Sequence, residues 1–128
     1  MKGFITNIEK DTLENTDYRR ILYTAKNSQL VLMSIEPGDE IGAEVHTLDQ
    51  FIRLEQGTAT VVLNGESREV PADSAILIPA GVEHNVINTG FDALKLYSVY
   101  APPEHKDKTV HATKADEKEE HFDGVTTE

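Results

Sequence analysis

No cysteine occurs among the 128 residues of this chain. Disulfide staples, thiolate metal sites and cysteine nucleophiles are thereby excluded. Long apolar runs are missing too, since no window approaches the roughly 18 apolar residues of a membrane span. The opening MKGFITNIEKD has too short an apolar stretch for a signal peptide, and acidic residues follow at once, so the cytoplasm is the expected location. Basic residues are scarce. Twelve Lys and Arg face 23 Asp and Glu, which leaves a formal charge of -11 and a pI near 4.8. Such a field repels nucleic acid phosphates and anionic membranes, so neither is an expected partner. Solenoid-type repeats are absent, and between residues 19 and 101 no helical periodicity runs longer than about two turns.

What is present fits one compact domain. The apolar share is 38%, enough for a core and below the globular average. Short β-prone runs follow one another: RRILYT, QLVLMSI, QFIRLEQ, TATVVLNG, AILIP, HNVIN and ALKLYSVYAP. Asn64-Gly65 between two such runs is a strong hairpin cue, because both central residues of a type I′ turn need positive φ. VPADSAILIP reads as a turn followed by a buried strand, and Pro102-Pro103 stops the last strand. The pattern predicts an all-β fold, closed or sandwiched. Three segments are expected: 1–27, an N-terminal piece that serves as an edge strand or a dimer contact; 28–103, the barrel; and 104–128, a charged, acidic tail, solvated or partly laid on the body.

Four polar residues stand out in two stretches, Glu44, His46 and Gln50 in AEVHTLDQFIRLEQG and His84 in PAGVEHNVIN. On a strand, Glu44 and His46 share a face, as do Gln50, Ile52 and Leu54, and His84, Val86 and Asn88. In each of the last two sets a polar residue leads and apolar residues follow. That is the arrangement of a barrel with a polar site at one mouth above a packed core.

PGDEIGAEVHTLDQFIRLEQG and PAGVEHNVIN together resemble the two signature motifs of the cupin superfamily. Gly38, Glu44-x-His46, Gln50 and Gly57 fall on the first motif, and Pro79, Gly81, His84 and Asn88 on the second. The likeness spans roughly residues 28 to 102 and implies a double-stranded β-helix, the jelly-roll barrel of small cupins. The chain looks similar to the single-domain cupins grouped with mannose-6-phosphate isomerases. Where the family carries three histidines and a glutamate, this chain has Glu44 for the first histidine and Gln50 for the glutamate. The ligand charge is unchanged at minus one. The resemblance implies a divalent transition metal, Fe, Mn, Ni, Co or Zn, on Glu44, His46 and His84, a two-histidine-one-carboxylate set, with Gln50 as a fourth ligand or as a donor to bound water.

Other candidates are weaker. Asp49 reads as a turn or cap residue, and Glu83 and Arg53 should point out of the barrel. His105, His111 and His121 are expected to be solvated, and Tyr97 and Tyr100 lie on opposite faces of the last strand, so one of them can reach the cavity. No Arg or Lys cluster near the motif strands offers to hold a sugar phosphate. The expected function is a small metalloenzyme on a small polar substrate, sugar isomerase-like or dioxygenase-like. The alternative is a non-catalytic module binding a small-molecule ligand. A homodimer is expected, because an open jelly-roll edge needs cover.

Overall fold

The computed structural model describes residues 2–128. Its elements run α1 (Ile8–Glu14), β1 (Arg19–Thr24), β2 (Gln29–Ile35), β3 (Asp49–Gln56), β4 (Thr58–Leu63), β5 (Glu66–Pro71), β6 (Ala75–Ile78), β7 (His84–Asn88), β8 (Leu94–Ala101) and β9 (Val110–His111), then a 3-10 turn at Lys114–Asp116. Two antiparallel sheets face each other, one ordered β6-β3-β8-β2-β1-β9 and the other β5-β4-β7. This is the all-β fold expected from the strand pattern, in the jelly-roll form that the motif resemblance implies. Among the described residues no helix is long and apolar enough to cross a membrane.

Alternation decides which side chains enter the core. In β3, Gln50, Ile52 and Leu54 are buried while Asp49 is exposed. In β7, His84, Val86 and Asn88 are buried, and in β8 Leu94, Leu96, Ser98 and Tyr100 are. Ile52, Leu54, Val86 and Leu96 have no exposed area, and with Met33 and Ile35 from β2 they fill the space between the sheets. Burying each such side chain contributes about 1.5–3 kcal/mol. Strand β6 departs from the expected buried run. Ile76 and Ile78 face the core, but Leu77 is 67% exposed, because the strand lies at the rim of its sheet with only one face covered.

Turn chemistry matches the sequence. Asn64 and Gly65 have φ of 50° and 83°, and the β4–β5 register closes at Leu63 opposite Glu66, the type I′ hairpin. Gly57 has φ of 96°, and a Cβ there would lie 3.2 Å from the backbone of Ala93 and Leu94. This position between β3 and β4 needs glycine for its angle and its space.

Both ends of the chain are built into the body. Helix α1 is capped by Asn7, whose side chain accepts from the Lys10 amide, and it lies against β2, β3 and β8. Strand β1 pairs with β2, and the far edge of β1 is closed by β9. The solvated tail therefore needs correction. His111 is buried, and the Lys114 ammonium donates to the Glu40 carbonyl and the Asp39 carboxylate. A charged, weakly apolar segment gains its order from strand pairing and ion pairs that sequence composition does not report.

Candidate metal centre

Glu44 lies outside the named strands, on a single antiparallel bridge to His84. The Glu44 amide donates to the His84 carbonyl at 2.9 Å, and the His84 amide returns the bond at 3.0 Å. This reciprocal pair brings the first motif against the second. The Gly81 amide, donating to the His46 carbonyl at 2.8 Å, ties the two stretches together again. One imidazole nitrogen each from His46 and His84 and a carboxylate oxygen of Glu44 come within 4.8 Å of one another. The two rings stand 5.1 Å apart, centroid to centroid.

The protonation pattern follows from the neighbours. His84 Nδ1 lies 2.9 Å from the Val82 carbonyl. A carbonyl only accepts, so Nδ1 carries the proton and the Nε2 lone pair is free, the tautomer a metal ligand requires. His46 Nε2 is buried 2.7 Å from Glu44 Oε2, an ion pair when the ring is protonated. On its other side, His46 Nδ1 lies 3.7 Å from Glu104.

Electrostatics binds this group together. Burial pushes the Glu44 carboxyl up, but the His46 imidazole, with Arg19 and His84 behind it, more than reverses this and holds it below the usual carboxylate range. Glu44 in turn raises His46 against the opposing effect of burial. Tyr100 is pushed up by burial, so its hydroxyl stays protonated. Burial, reinforced by Arg19, pushes His105 down to about 3, so it is neutral.

Gln50 sits at the start of β3, 3% exposed. Its Nε2 donates to Tyr100 Oη at 3.1 Å and Ser98 Oγ at 3.3 Å, while Oε1 is buried without a partner. A carbonyl oxygen so oriented has the chemistry of a hard-cation ligand or of an acceptor from bound water. Tyr100 is the tyrosine that turns inward, its ring edge-on to His46 at 5.9 Å, and Tyr97 faces Phe51 instead. Asp49 caps the Ala80 amide at 2.9 Å, Glu83 is exposed, and Arg53 pairs with Glu55 and Asp73.

Two of the tail histidines are not solvated. The ring of His105 packs edge-on against Tyr100 at 5.2 Å with its Nε2 buried, and His111 is 7% exposed. His121 is the exposed one, its Nδ1 3.2 Å from Glu104. After Pro102-Pro103 the chain brings residues 104–105 and 117–121 to the barrel mouth. A cavity of about 490 Å³ remains there, lined among others by Glu44, His46, Glu104, His105 and Arg19. Arg19, Glu104 and His105 were missed as site residues. No motif marks them, and the only hint is the chemistry of the residue types themselves.

The cupin-domain family model matches residues 31–100. Uncharacterized protein YrkC of Bacillus subtilis is 49% identical over 122 residues, covering 90% of this chain and 66% of that protein. An uncharacterized protein of Acanthamoeba polyphaga mimivirus is 41% identical over 108 residues, covering 80% and 67%. The chain thus spans about two thirds of the length of these relatives. Among solved structures, a protein from Bacillus halodurans superposes with TM-score 0.88 at 49% identity, over 90% of this chain and 92% of that one. An RmlC-like cupin from Shewanella frigidimarina matches at TM-score 0.61 and 19% identity, over 66% and 74%, a likeness of fold alone.

Proposed function

This chain belongs to the cupin family, and from that premise we propose that it holds one divalent transition-metal ion on Glu44, His46 and His84 and acts as a small metalloenzyme on a small polar substrate. One observation carries the reading. Three ligand atoms of the right kinds lie within 4.8 Å of one another, and Gln50 Oε1 is buried with no hydrogen-bond partner. A cation joins the three ligand atoms, and the ion or a water bound to it gives that oxygen a partner.

Bound there, a divalent ion supplies Lewis acidity toward a carbonyl or hydroxyl oxygen of the substrate. The rest falls to the chain. Val82 fixes the His84 tautomer, and Glu44 offsets one unit of the ion's charge. Gln50 Oε1 would serve as a fourth ligand or as the acceptor for a coordinated water. The Tyr100 hydroxyl accepts from Gln50 and keeps its own proton to donate. Glu104 lies at the cavity wall beside His46 and is placed to accept a proton. A base and a hydroxyl donor flanking a Lewis acid suit proton transfer on a hydroxy- or oxo-compound, so the isomerase-like form of the reading is favoured over the dioxygenase-like form. We further propose that the chain acts as a homodimer. A monomer only, at micromolar concentration by light scattering, would refute that.

The test of the site is elemental analysis of protein purified without added metal or chelator, beside Glu44→Ala and His46→Ala. The expected result is about one transition-metal ion per chain, lost from both variants. No uptake by the wild type after incubation with Fe(II), Mn(II), Ni(II) and Zn(II) would overturn the reading.

A further inference from the structure

Arg19 is a cation inside the barrel mouth. It opens β1, its side chain is 4% exposed, and it lines the same cavity as Glu44 and His46. The guanidinium is only partly used. Nη1 donates to Glu117 Oε2 at 2.6 Å and lies 3.4 Å from His111 Nδ1. The Tyr18 ring centroid is 5.3 Å from the guanidinium carbon. Nε is buried and has no acceptor. Leaving a buried charged donor unpaired is unfavourable, and native proteins rarely tolerate it without a functional reason. On the same cavity wall, His105 Nε2 is likewise buried without a partner.

We propose that Arg19 anchors the carboxylate of a small organic acid in this cavity, and that Glu117 holds the same place on the guanidinium when the acid is not bound. The proposed metal centre enters only through the acid's second contact, a hydroxyl or carbonyl oxygen directed at Glu44, His46 and His84. Three features select a carboxylate. First, a carboxylate already docks on Arg19, that of Glu117. The planar guanidinium fork matches a planar carboxylate through two parallel N–H donors, Nη1 and Nη2, of which Glu117 now takes Nη1. Second, the wall beyond Arg19 is acidic, with Glu104, Glu119 and Glu120. Repulsion from those charges penalises a dianionic phosphate more than a monoanion. Third, about 490 Å³ suits a ligand of small-molecule size.

Glu117 is suited to yield. It follows the 3-10 turn Lys114–Asp116 as that turn's C-cap, and its side chain is 33% exposed. Swinging its carboxylate outward exposes no core residue. An incoming acid therefore exchanges one ion pair for another.

The experiment titrates glycolate into wild type, Arg19→Gln and Glu117→Gln by calorimetry, in Co(II)-loaded and metal-free protein, with glycolamide and sulfate as comparison probes. Arg19→Gln should keep its Co(II) content and bind glycolate about tenfold more weakly or worse, a loss of one charge-assisted pair. Glycolamide, which is neutral, should bind weakly and equally to both. Glu117→Gln removes the internal competitor and should bind glycolate several-fold more tightly. Since Arg19→Gln replaces a buried residue and can fail to fold, the partly exposed Glu117→Gln tests the idea alone: unchanged or weaker glycolate binding there overturns it. Equal glycolate binding by wild type and Arg19→Gln, sulfate binding tighter than glycolate, or no glycolate binding to wild type in either form would also overturn it. Arg19-dependent glycolate binding without any Co(II) uptake would support the anchor and defeat the metal centre. Co(II) uptake without Arg19-dependent binding would do the reverse.

Discussion

Two buried amides occupy motif positions in this barrel, one at each end of the core, and they are treated in opposite ways. Asn88 closes β7 at the lower end. Its Nδ2 donates to the Ile35 carbonyl at 2.8 Å and the Asp92 carbonyl at 2.9 Å, and its Oδ1 accepts from the Gly90 amide at 3.0 Å. Gln50 opens β3 at the mouth. Its two donations go to Ser98 and Tyr100, but Oε1 has no partner. The residues are alike in chemistry and in burial, 1% and 3% exposed. Satisfaction, not burial, separates a structural amide from one held ready for a ligand. The lower half of the barrel is therefore a fold device, and on the proposed function the mouth gives up some stability for binding.

The sharpest break of this contrast is at the mouth itself. His84→Ala takes a three-ligand set to two and should cost about a hundredfold or more in metal affinity. Elemental analysis and competition with a chelator measure it, and retained stoichiometric metal would move the site elsewhere. At the lower end, Asn88→Ala strands the Ile35 and Asp92 carbonyls and the Gly90 amide. It should destabilise by about 3 kcal/mol in urea unfolding, with the metal content of the folded fraction unchanged. A metal loss as large as that of His84→Ala would erase the distinction between the two ends.

Acid should act through the mouth as well. The folded value of His105 is about 3, below the ordinary 6.5, so the unfolded chain binds more protons. Its contribution to stability is whole above pH 6.5 and is lost as the pH falls below that. Between pH 7 and 5 the metal-free wild type should lose about 2 kcal/mol more than His105→Gln, since each tenfold difference in proton affinity between the folded and unfolded chain is worth about 1.4 kcal/mol. Parallel pH profiles would mean that His105 is not held neutral by burial. The smallest effect is expected at Gln50. Gln50→Leu removes an unsatisfied buried oxygen and should change metal-free stability by less than about 1 kcal/mol, in either direction, while weakening metal binding about tenfold. A stability loss matching that of Asn88→Ala would show that Gln50 is structural after all.

The body of the barrel was legible because its signals are local. Period-two alternation in QFIRLEQ, HNVIN and LKLYSVY placed the core face, and Asn64-Gly65 placed a hairpin, since pleat and turn geometry act over a few residues. Glu44, His46, Gln50 and His84 were legible together through motif spacing, although Glu44 sits on a lone bridge and His46 outside any strand, not on the strand expected for them. Helix α1 was not anticipated. Seven residues are too few to show a helical period, and its stability comes from the Asn7 cap and the sheet it covers.

What the sequence alone determined is an all-β fold and its inward face, which follow from backbone periodicity and turn stereochemistry, and, through the resemblance to the cupin motifs, the jelly roll and the four polar residues at one end of it. What only the tertiary structure decided is the company those residues keep. Arg19 arrives from β1, and Glu104, His105 and Glu117 arrive from a tail whose composition reads as solvated chain. Their place depends on β9 pairing with β1 across about 90 residues of sequence. Ion pairs and buried polar contacts at such separations carry no periodicity, so the wall of the cavity became visible only when the chain had closed over it.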